Sequence, residues 1–402
     1  MTNHSPSLTS PLAAHISGAI DAAGGWIGFD RFMEMALYTP GWGYYASDSR
    51  KFGAMPAGLK GGGSDFVTAP EMSSHFGRAL AGQVGQALTA TGTTEIWEFG
   101  AGSGALAEQL LQALGDAVTR YTILDLSASL RELQQTRLKD FAHKIHWVNE
   151  LPQEMSGVVV GNEVLDAMPV KLLARVNGIW HERGVSCAPT LFGSSDALPP
   201  GAAEISLGAA HDQIHRSEFI HADQVTDFRP PVDVEGTHDY LTEIHPQAEG
   251  FVRTLADRLQ LGAIFLLDYG FPEHEYYHQQ RSMGTVMCHR GHMSDADALA
   301  DVGIKDITAH VNFTGIAVAA QDAGMQVLGY TGQGRFLLNC GLAEGLENTT
   351  LQDRVMVQRL VAEHEMGELF KVMAFAAIRH EVTGEAGWAP VGFSAGDRTH
   401  TL

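Results

Sequence analysis

The stretch Glu98-Phe99-Gly100-Ala101-Gly102-Ser103-Gly104 decides the fold of this 402-residue chain. It closes an apolar segment at 95–99 that predicts a strand, and it precedes an apolar-periodic segment at 105–114 that predicts a helix. Glycine lets the backbone pass close to a ligand, and the amides of a helix N-terminus attract the ligand's polar groups. The stretch therefore indicates a ligand-binding turn between a strand and the helix that follows it.

The spacing of the glycines indicates which class of ligand the turn binds. Gly100, Gly102 and Gly104 follow G-x-G-x-G, which is one position shorter than the G-x-G-x-x-G fingerprint of dinucleotide-binding turns. Glu98 is placed to take an ammonium group, and Asp125, at the end of the next predicted strand, is placed to accept both hydroxyls of a ribose. Together they indicate S-adenosyl-L-methionine. The structural alternative is that the two acids only cap helices.

Strands and helices alternate after this turn, as they do in a parallel sheet with crossover helices. Strands are predicted over 95–99, 121–126, 145–148, 158–162, 263–267, 325–330 and 336–338. Helices are predicted over 12–23, 28–37, 73–90, 105–114, 129–141, 246–260, 313–323 and 351–378. The predicted fold class is α/β: a Rossmann-like sheet of the class I methyltransferase type, with helices on both faces. An N-terminal helical and loop subdomain and insertions are added to this sheet.

The same pattern predicts three regions. Residues 1–90 form an N-terminal helical cap that contributes to an acceptor cleft. Residues 91–341 form the Rossmann-like core, with insertions at about 186–240 and 270–310. Residues 342–402 form a C-terminal helix and tail. A hairpin over 176–185 is predicted to turn at Asn177-Gly178, the dipeptide that favours a tight two-residue turn.

Composition excludes several classes of partner. Lys and Arg number 26 against 47 Asp and Glu, a formal net charge of −21, and no Lys/Arg run is present, so a nucleic-acid partner is not expected. No segment offers about 18 consecutive apolar residues, so no membrane span is expected. The three cysteines form no C-x-x-C pair, which together with the lack of a recognisable leader predicts a cytoplasmic protein.

A metal site is not expected either. His274, His278, His289 and His292 lie in one predicted insertion, but they do not combine with an acidic neighbour in a recognised zinc spacing. The prediction for metal ions is therefore none.

Polar side chains at the end of the fourth predicted strand indicate a substrate site. Asn162, Glu163 and Asp166 follow that strand, at the edge where open parallel sheets bind ligands. The structural alternative is that Asn162 turns the chain and Asp166 caps a short helix. Five residues outside the sheet are also predicted to bind the substrate: Tyr44, Tyr45, Thr68, Glu71 and His310.

These residues belong to motifs by which the chain, from about residue 24 to 341, resembles the MidA-like methyltransferases. That group contains the mitochondrial complex I assembly factor that methylates a protein arginine. Besides the glycine turn, the resemblance rests on Tyr38-x-Pro40-x-x-Gly43-Tyr44-Tyr45, Asp65-Phe66-x-Thr68-Ala69-Pro70-Glu71, Phe76-Gly77, Tyr121-x-x-x-Asp125-x-Ser127, Asn162-Glu163-x-x-Asp166-Ala167-x-Pro169-Val170, Asp268-Tyr269-Gly270, Gly284-Thr285 and Asp306-Ile307-Thr308-Ala309-His310.

The chain departs from the family pattern at three places. Ser64 separates Gly63 from Asp65, Asp125 stands where glutamate is common, and Asn312 stands where aspartate is common. The first and third departures affect the substrate side. Asp125 should still accept the ribose hydroxyls, although its side chain is shorter than that of glutamate.

The resemblance implies class I methyl transfer to the guanidinium of an arginine, in a protein that is a respiratory-complex subunit. The pKa of an arginine lies above about 12, so an enzyme must draw its positive charge away from the attacking nitrogen. Carboxylates do this, which assigns Glu163 and Asp166 to catalysis, with Asn162 as a positioning acceptor and Glu71 in reserve. Two alternatives stay open: a nucleotide-dependent oxidoreductase, and a non-catalytic assembly chaperone that binds S-adenosyl-L-methionine. Whether the protein forms a homodimer also stays open.

Overall fold

The structure is a computed structural model that describes residues 10–47, 68–125, 127–188, 219–291, 293–344, 346–377 and 388–402. Three features of the sequence analysis lie outside these residues: Gly63 to Phe66, residues 189–218 of the first predicted insertion, and His292.

The helices of the described residues are α1 (Pro11–Ala22), α2 (Phe29–Tyr38), α3 (Ala69–Met72), α4 (Ser74–Thr91), α5 (Ala105–Leu114), α6 (Ala128–Arg137), α7 (Pro246–Arg258), α8 (Glu273–Tyr276), α9 (Phe313–Asp322), α10 (Gln333–Asn339), α11 (Leu351–Val361) and α12 (Met366–Leu369).

The strands are β1 (Ile27–Gly28), β2 (Glu95–Phe99), β3 (Arg120–Leu124), β4 (Ile145–Val148), β5 (Met155–Asn162), β6 (Lys171–Val176), β7 (Ile179–Cys187), β8 (Phe219–Val225), β9 (Tyr240–Ile244), β10 (Leu259–Phe271), β11 (Met287–Arg290), β12 (Met293–Asp295), β13 (Asp306–Thr308), β14 (Val311–Asn312), β15 (Met325–Gly332) and β16 (Phe370–Ala377).

The central sheet has the strand order β15-β16-β10-β5-β2-β3-β4, and β14 pairs with the end of β10. The strands from β10 to β4 run parallel to one another, whereas β16 is antiparallel to both of its neighbours. The chain leaves β2 towards β3 on one side and returns to β5 on the other. Ligands bind at such a point of divergence, at the carboxyl ends of the strands.

Helices cover both faces of this sheet. Val158 and Val160 on β5 face a core that includes Leu80 of α4 and Leu106 of α5. Val159, between them, faces a second core that includes Val252 of α7. Residues two apart on a strand share a face, so β5 is apolar on both sides because both sides are covered. The predicted α/β class with a doubly covered sheet is confirmed.

A second sheet carries the N-terminal segment. Its order is β1-β7-β6-β9, with β8 also paired to β7, and α1 and α2 pack beside it. The predicted hairpin joins β6 to β7, and both turn residues have positive φ, 50° at Asn177 and 80° at Gly178. Positive φ at both positions is what a tight two-residue hairpin needs. The second predicted insertion contains α8 and a small sheet of order β12-β11-β13.

Two predictions near the C-terminus are wrong. The strand expected over 336–338 is part of helix α10. The helix expected over 351–378 is helical only in α11 and α12, and then becomes β16; residue 378 lies outside the described range. Apart from Lys371, the segment Phe370–Ala377 is apolar on both faces, because Val372 and Ala374 face one core whereas Met373 and Phe375 face the other. A continuous apolar run does not distinguish a buried strand from a buried helix. The predicted C-terminal helix and tail therefore contains a strand of the central sheet.

No helix in the described ranges is long and apolar enough to cross a membrane. The division into three regions stays a prediction.

Phe375→Ala should destabilise the protein by about 3–5 kcal/mol, the usual cost of emptying a core site of this size. Phe375 is 0% exposed and lies in β16, opposite Ile264 of β10 and Val327 of β15. Leu351→Ala is the control, because Leu351 is 79% exposed. The free energies of unfolding in urea would be compared. If the two variants were equally stable, β16 would not be an internal strand.

Candidate functional site

The glycine turn joins β2 to α5 at the point where the sheet diverges. The φ angles of Gly100, Gly102 and Gly104 are 63°, 54° and 80°, a left-handed region that residues with a Cβ enter at a cost. The Gly100 amide donates a hydrogen bond to the carbonyl of Leu124, 3.1 Å away at the end of β3. The turn is therefore tied to the neighbouring strand, and its residues line a cavity.

Glu98 lies beneath the turn and is only 3% exposed. Its carboxylate accepts a 2.7 Å hydrogen bond from the hydroxyl of Tyr121. Burial raises the pKa of Glu98 to about 7; the hydrogen bond from Tyr121 opposes this rise, and the nearby charge of Asp125 adds to it. A carboxyl group of this kind is stabilised in its ionised form by a cation beside it.

Asp125 stands at the end of β3 and is held by two donors. Its Oδ1 accepts from the amide of Ser127 at 3.0 Å, and its Oδ2 accepts from Nε2 of Gln134 at 2.9 Å. The same nitrogen lies 3.0 Å from the carbonyl of Gly102. Gln134 of α6 thus connects Asp125 to the glycine turn. The sequence analysis missed Gln134, because nothing in its spacing distinguishes it from other polar helix residues.

Two adjoining cavities meet at the turn. One, of about 410 Å³, is lined by Glu98 and by residues that follow β5, and the other, of about 530 Å³, is lined by Asp125. The residues that line both are Tyr45, Gly100, Gly102 and Glu163. A ligand that contacts Glu98 and Asp125 together must extend from one cavity into the other.

Glu163 follows β5 in an unusual backbone conformation. Its φ is 54°, and its amide donates a 2.8 Å hydrogen bond to the carbonyl of Leu267 on β10. Its carboxyl accepts from Nδ2 of Asn162 at 3.0 Å. Burial and then the charge of Asp166 raise the pKa of Glu163 to about 8. A non-glycine residue held left-handed is strained, and such strain concentrates at functional sites.

Asp166 is anchored in the same loop. Its Oδ2 accepts a 2.5 Å hydrogen bond from the hydroxyl of Tyr269, and burial raises the pKa of Asp166 to about 6. The buried carboxylate of Asp268 supports the loop from below, because its Oδ2 accepts from the amides of Val164, Leu165 and Asp166 at 3.1, 2.8 and 3.3 Å. Asp268 belongs to the Asp-Tyr-Gly motif, which signalled the residue without indicating this role.

Three buried polar atoms of the first cavity have no hydrogen-bond partner within the described residues: Oδ1 of Asn162, Oδ1 of Asp166 and Nδ1 of His310. Burial, and then the charge of Arg281, lower the pKa of His310 to about 4, so this imidazole is neutral near pH 7. Among the described residues that line this cavity there is no Lys or Arg. The cavity is therefore acidic and offers unpaired acceptors.

Of the other predicted substrate residues, some line the first cavity and some do not. Tyr45, Thr68 and His310 line the first cavity. Tyr44 is instead 1% exposed and packs in the core beneath the N-terminal helices.

Glu71 faces α6 and is not among the described residues that line the two cavities. Nη1 of Arg137 lies 2.6 Å from its carboxylate, and the hydroxyl of Ser103 also donates to it. Burial acts to raise the pKa of Glu71, but these hydrogen bonds outweigh it and bring the pKa below its usual value. The contacts tie α3 to the glycine turn.

A parallel sheet with one antiparallel strand inserted next to its edge strand, a glycine turn after its first strand and an acid after its second, defines the class I methyltransferases that use S-adenosyl-L-methionine. In agreement with this, residues 79–331 match a family model described as S-adenosyl-L-methionine-dependent methyltransferase. The chain belongs to this family, and the resemblance to the MidA-like methyltransferases is confirmed.

Solved structures agree with this assignment. A protein from Burkholderia thailandensis bound to S-adenosyl-homocysteine is 42% identical, with a TM-score of 0.83 over 100% of both chains. A native crystal structure from the same organism is 41% identical, with a TM-score of 0.80 over 100% of both chains. The cofactor of this protein is S-adenosyl-L-methionine, and the class I fold is confirmed.

Curated relatives are more distant. The mitochondrial protein arginine methyltransferase NDUFAF7 homolog of Caenorhabditis elegans is 24% identical over 98% of this chain and 93% of its own length. Protein arginine methyltransferase NDUFAF7 of Danio rerio, also named mitochondrial, is 25% identical over 84% of this chain and 78% of its own length. These names contradict the predicted cytoplasmic location. That prediction was wrong because unpaired cysteines indicate reducing conditions and do not distinguish between compartments that share them.

Gly102→Val should weaken binding of S-adenosyl-homocysteine by at least about tenfold, because a β-branched residue at φ 54° must distort the turn. Isothermal titration measures the affinity. Gly92→Val is a matched control: Gly92 has φ 65°, ends α4 away from both cavities, and has open space where a Cβ would lie. The control should lose stability and keep its affinity. Unchanged affinity in Gly102→Val would show that the turn does not hold the cofactor.

Proposed function

We propose that this enzyme methylates the guanidinium group of a protein arginine, and that Asn162, Glu163 and Asp166 bind that group. The observation that carries the proposal is the pair of unpaired, buried oxygens, Oδ1 of Asn162 and Oδ1 of Asp166, in a cavity that also contains Glu163. Burying an acceptor without a donor is costly, so the site favours a ligand rich in donors. A guanidinium has five N–H donors, no acceptor and a permanent positive charge.

The arrangement favours guanidinium over a lysine ammonium. Asn162, Glu163 and Asp166 offer acceptors on one short loop, and a planar fork of N–H groups donates to several neighbouring acceptors at once. Burial and then the charge of Asp166 raise the pKa of Glu163, and a cation between the two carboxyl groups offsets both effects. Relatives named protein arginine methyltransferases support the same acceptor. The resemblance to the complex I assembly group extends the proposal to a respiratory-complex subunit.

The cofactor is proposed to contact three predicted elements of the site. Glu98 accepts the ammonium of its methionine part, Asp125 accepts its ribose hydroxyls, and Gly100, Gly102 and Gly104 allow the backbone to approach it. The raised pKa of the buried Glu98 agrees with a carboxyl group whose ionised form is stabilised when a cation binds beside it. Because Gly100, Gly102 and Glu163 line both cavities, these contacts adjoin the acceptor residues.

The bound cofactor supplies an electrophilic methyl group. Asp166, held by the hydroxyl of Tyr269, keeps part of the guanidinium charge on the side away from the attacking nitrogen. Glu163 binds the attacking nitrogen and accepts the proton that this nitrogen loses. A pKa near the working pH suits a general base, and the pKa of Glu163 is about 8 before the cation arrives. Asn162 orients Glu163 through its Nδ2 and offers its Oδ1 to the guanidinium.

Glu163→Gln and Asp166→Asn should each slow methyl transfer at least tenfold while leaving the affinity for S-adenosyl-homocysteine within about twofold of the parent. Removing one partner of a buried charge pair costs about 2–5 kcal/mol, and each 1.36 kcal/mol is a factor of about ten in rate. Glu132→Gln, at an exposed position of α6, is the control. Transfer of a radioactive methyl group into protein is the measurement. Parental rates in both variants would refute the acceptor assignment.

Methyl transfer should also rise with pH between about 6 and 8. Burial raises the pKa of Asp166 to about 6 and that of Glu163 to about 8, so both carboxyls are protonated at low pH and bind a cation poorly. Their ionisation on raising the pH creates the cation site. The measurement is kcat/KM against pH at saturating cofactor, and in Glu163→Gln the upper step should disappear. A profile that falls over this interval would contradict the sign of the argument.

A further inference from the structure

Besides Glu98, Glu163 and Asp166, a fourth carboxyl group enters the first cavity, and it comes from the second insertion. Asp306 opens strand β13, is 2% exposed, and lines the same cavity as Glu163 and Asp166. The sequence analysis included Asp306 in a motif and gave it no role. Its position links the insertion to the proposed acceptor site.

The backbone explains why this side chain points into the cavity. Asp306, Thr308 and His310 all line it, whereas Ile307 and Ala309, between them, are buried in the core beneath the N-terminal helices. Successive side chains of an extended segment point to opposite sides. The register is fixed by antiparallel pairing, with His289 of β11 opposite Asp306, and by the amide of Ala309, which donates to the carbonyl of Asp166 at 2.9 Å.

Tyr45 holds the carboxylate of Asp306. The Tyr45 hydroxyl lies 2.8 Å from both Oδ1 and Oδ2 of Asp306. The ring of Tyr45 is itself fixed, because it stacks on Tyr38 with centroids 5.6 Å apart and meets Tyr44 edge-on at 5.0 Å. Burial and the charge of Asp306 raise the pKa of Tyr45 well above its usual value, so the hydroxyl remains a donor.

The charge of Asp306 reaches the acceptor residues. Burial raises the pKa of Glu163, and the charges of Asp166 and then Asp306 raise it further. The two histidines that line the cavity do not compensate, because burial lowers the pKa of both His289 and His310. Among the described lining residues the cavity thus combines four carboxyl groups, those of Glu98, Glu163, Asp166 and Asp306, with no Lys or Arg.

We infer that Asp306 is a further acceptor-binding residue, which contacts the substrate cation from the insertion while Glu163 and Asp166 contact it from the sheet, and that Tyr45 positions Asp306. The inference rests on the proposed arginine acceptor. It makes the insertion part of the acceptor site, so a substrate cation is bound by two separate elements of the chain.

The test uses protein saturated with S-adenosyl-homocysteine and a small probe, Nα-acetyl-L-arginine amide, with the neutral citrulline analogue as its matched partner. Isothermal titration gives the affinities. The parent should bind the arginine probe and not the citrulline probe. Asp306→Asn should bind the arginine probe at least about tenfold more weakly, as expected for loss of one buried charged partner. Asp301→Asn is the control, an exposed acid of the same insertion, and it should bind as the parent does.

Tyr45→Phe keeps the ring and removes only the donor, so it also serves if Asp306→Asn does not fold. It should weaken probe binding by about threefold or more, which is less than the effect of Asp306→Asn, because Asp306 keeps its charge and loses only the hydrogen bond that positions it. In the Asp306→Asn background it should cause no further loss, because Tyr45 acts through Asp306. A purely structural tyrosine would give additive losses and a change in the affinity for S-adenosyl-homocysteine.

The outcomes separate the two claims. If the parent binds the arginine probe and both Asp306→Asn and Tyr45→Phe bind it equally well, the inference is overturned and the proposed function stands. If Asp306→Asn loses S-adenosyl-homocysteine instead, Asp306 belongs to the cofactor side and the inference is again overturned. If the parent does not distinguish arginine from citrulline, both the inference and the proposed acceptor are refuted.

Discussion

Three backbone amides converge on one oxygen of the buried Asp268, and the proposed acceptor site depends on this contact. It fixes the loop that follows β5, which carries Glu163 in a strained left-handed conformation and Asp166 with an unpaired buried oxygen. Without a carboxylate beneath them, the amides of this loop would lack acceptors in a buried place. The anchor holds the loop in place although burial, and then the charges of Asp166 and Glu163, raise the pKa of Asp268 well above its usual value.

The same accumulation of buried negative charge connects structure to function. Burial raises the pKa of Glu98, which is proposed to bind the cofactor, and it also raises the pKa of Glu163 and Asp166, which are proposed to bind the acceptor. Ionisation of each of these buried carboxyl groups is unfavourable on its own and becomes favourable when a cation lies beside the group. A sulfonium cofactor with an ammonium tail and a guanidinium acceptor are both cations, so the net charge of −21 has a local counterpart where the chemistry is proposed to occur.

The sequence predicted those parts of the molecule that depend on residues close to one another in sequence. Strand β2, the glycine turn and α5 follow from apolar periodicity and from glycines that the structure finds at positive φ. Strand β16 was missed because Phe370–Ala377, apart from Lys371, is apolar on both faces. Gln134, Asp268 and Asp306 received no role because each meets its partners only in three dimensions. The placement of Tyr44 in the core and of Glu71 beside Arg137 likewise depends on contacts between segments distant in sequence.

The central claim is that the acidic cavity delivers a methyl group to an arginine nitrogen. The most direct measurement incubates the purified protein with S-adenosyl-L-methionine carrying a heavy-isotope methyl group and with an extract of cells that lack this chain, and then maps the label by mass spectrometry. The account predicts label on arginine side chains of a protein, and at least about tenfold less of this label with Glu163→Gln. Label that the parent enzyme places on lysine, on a carboxylate or on a small molecule, with no labelled arginine, would contradict it.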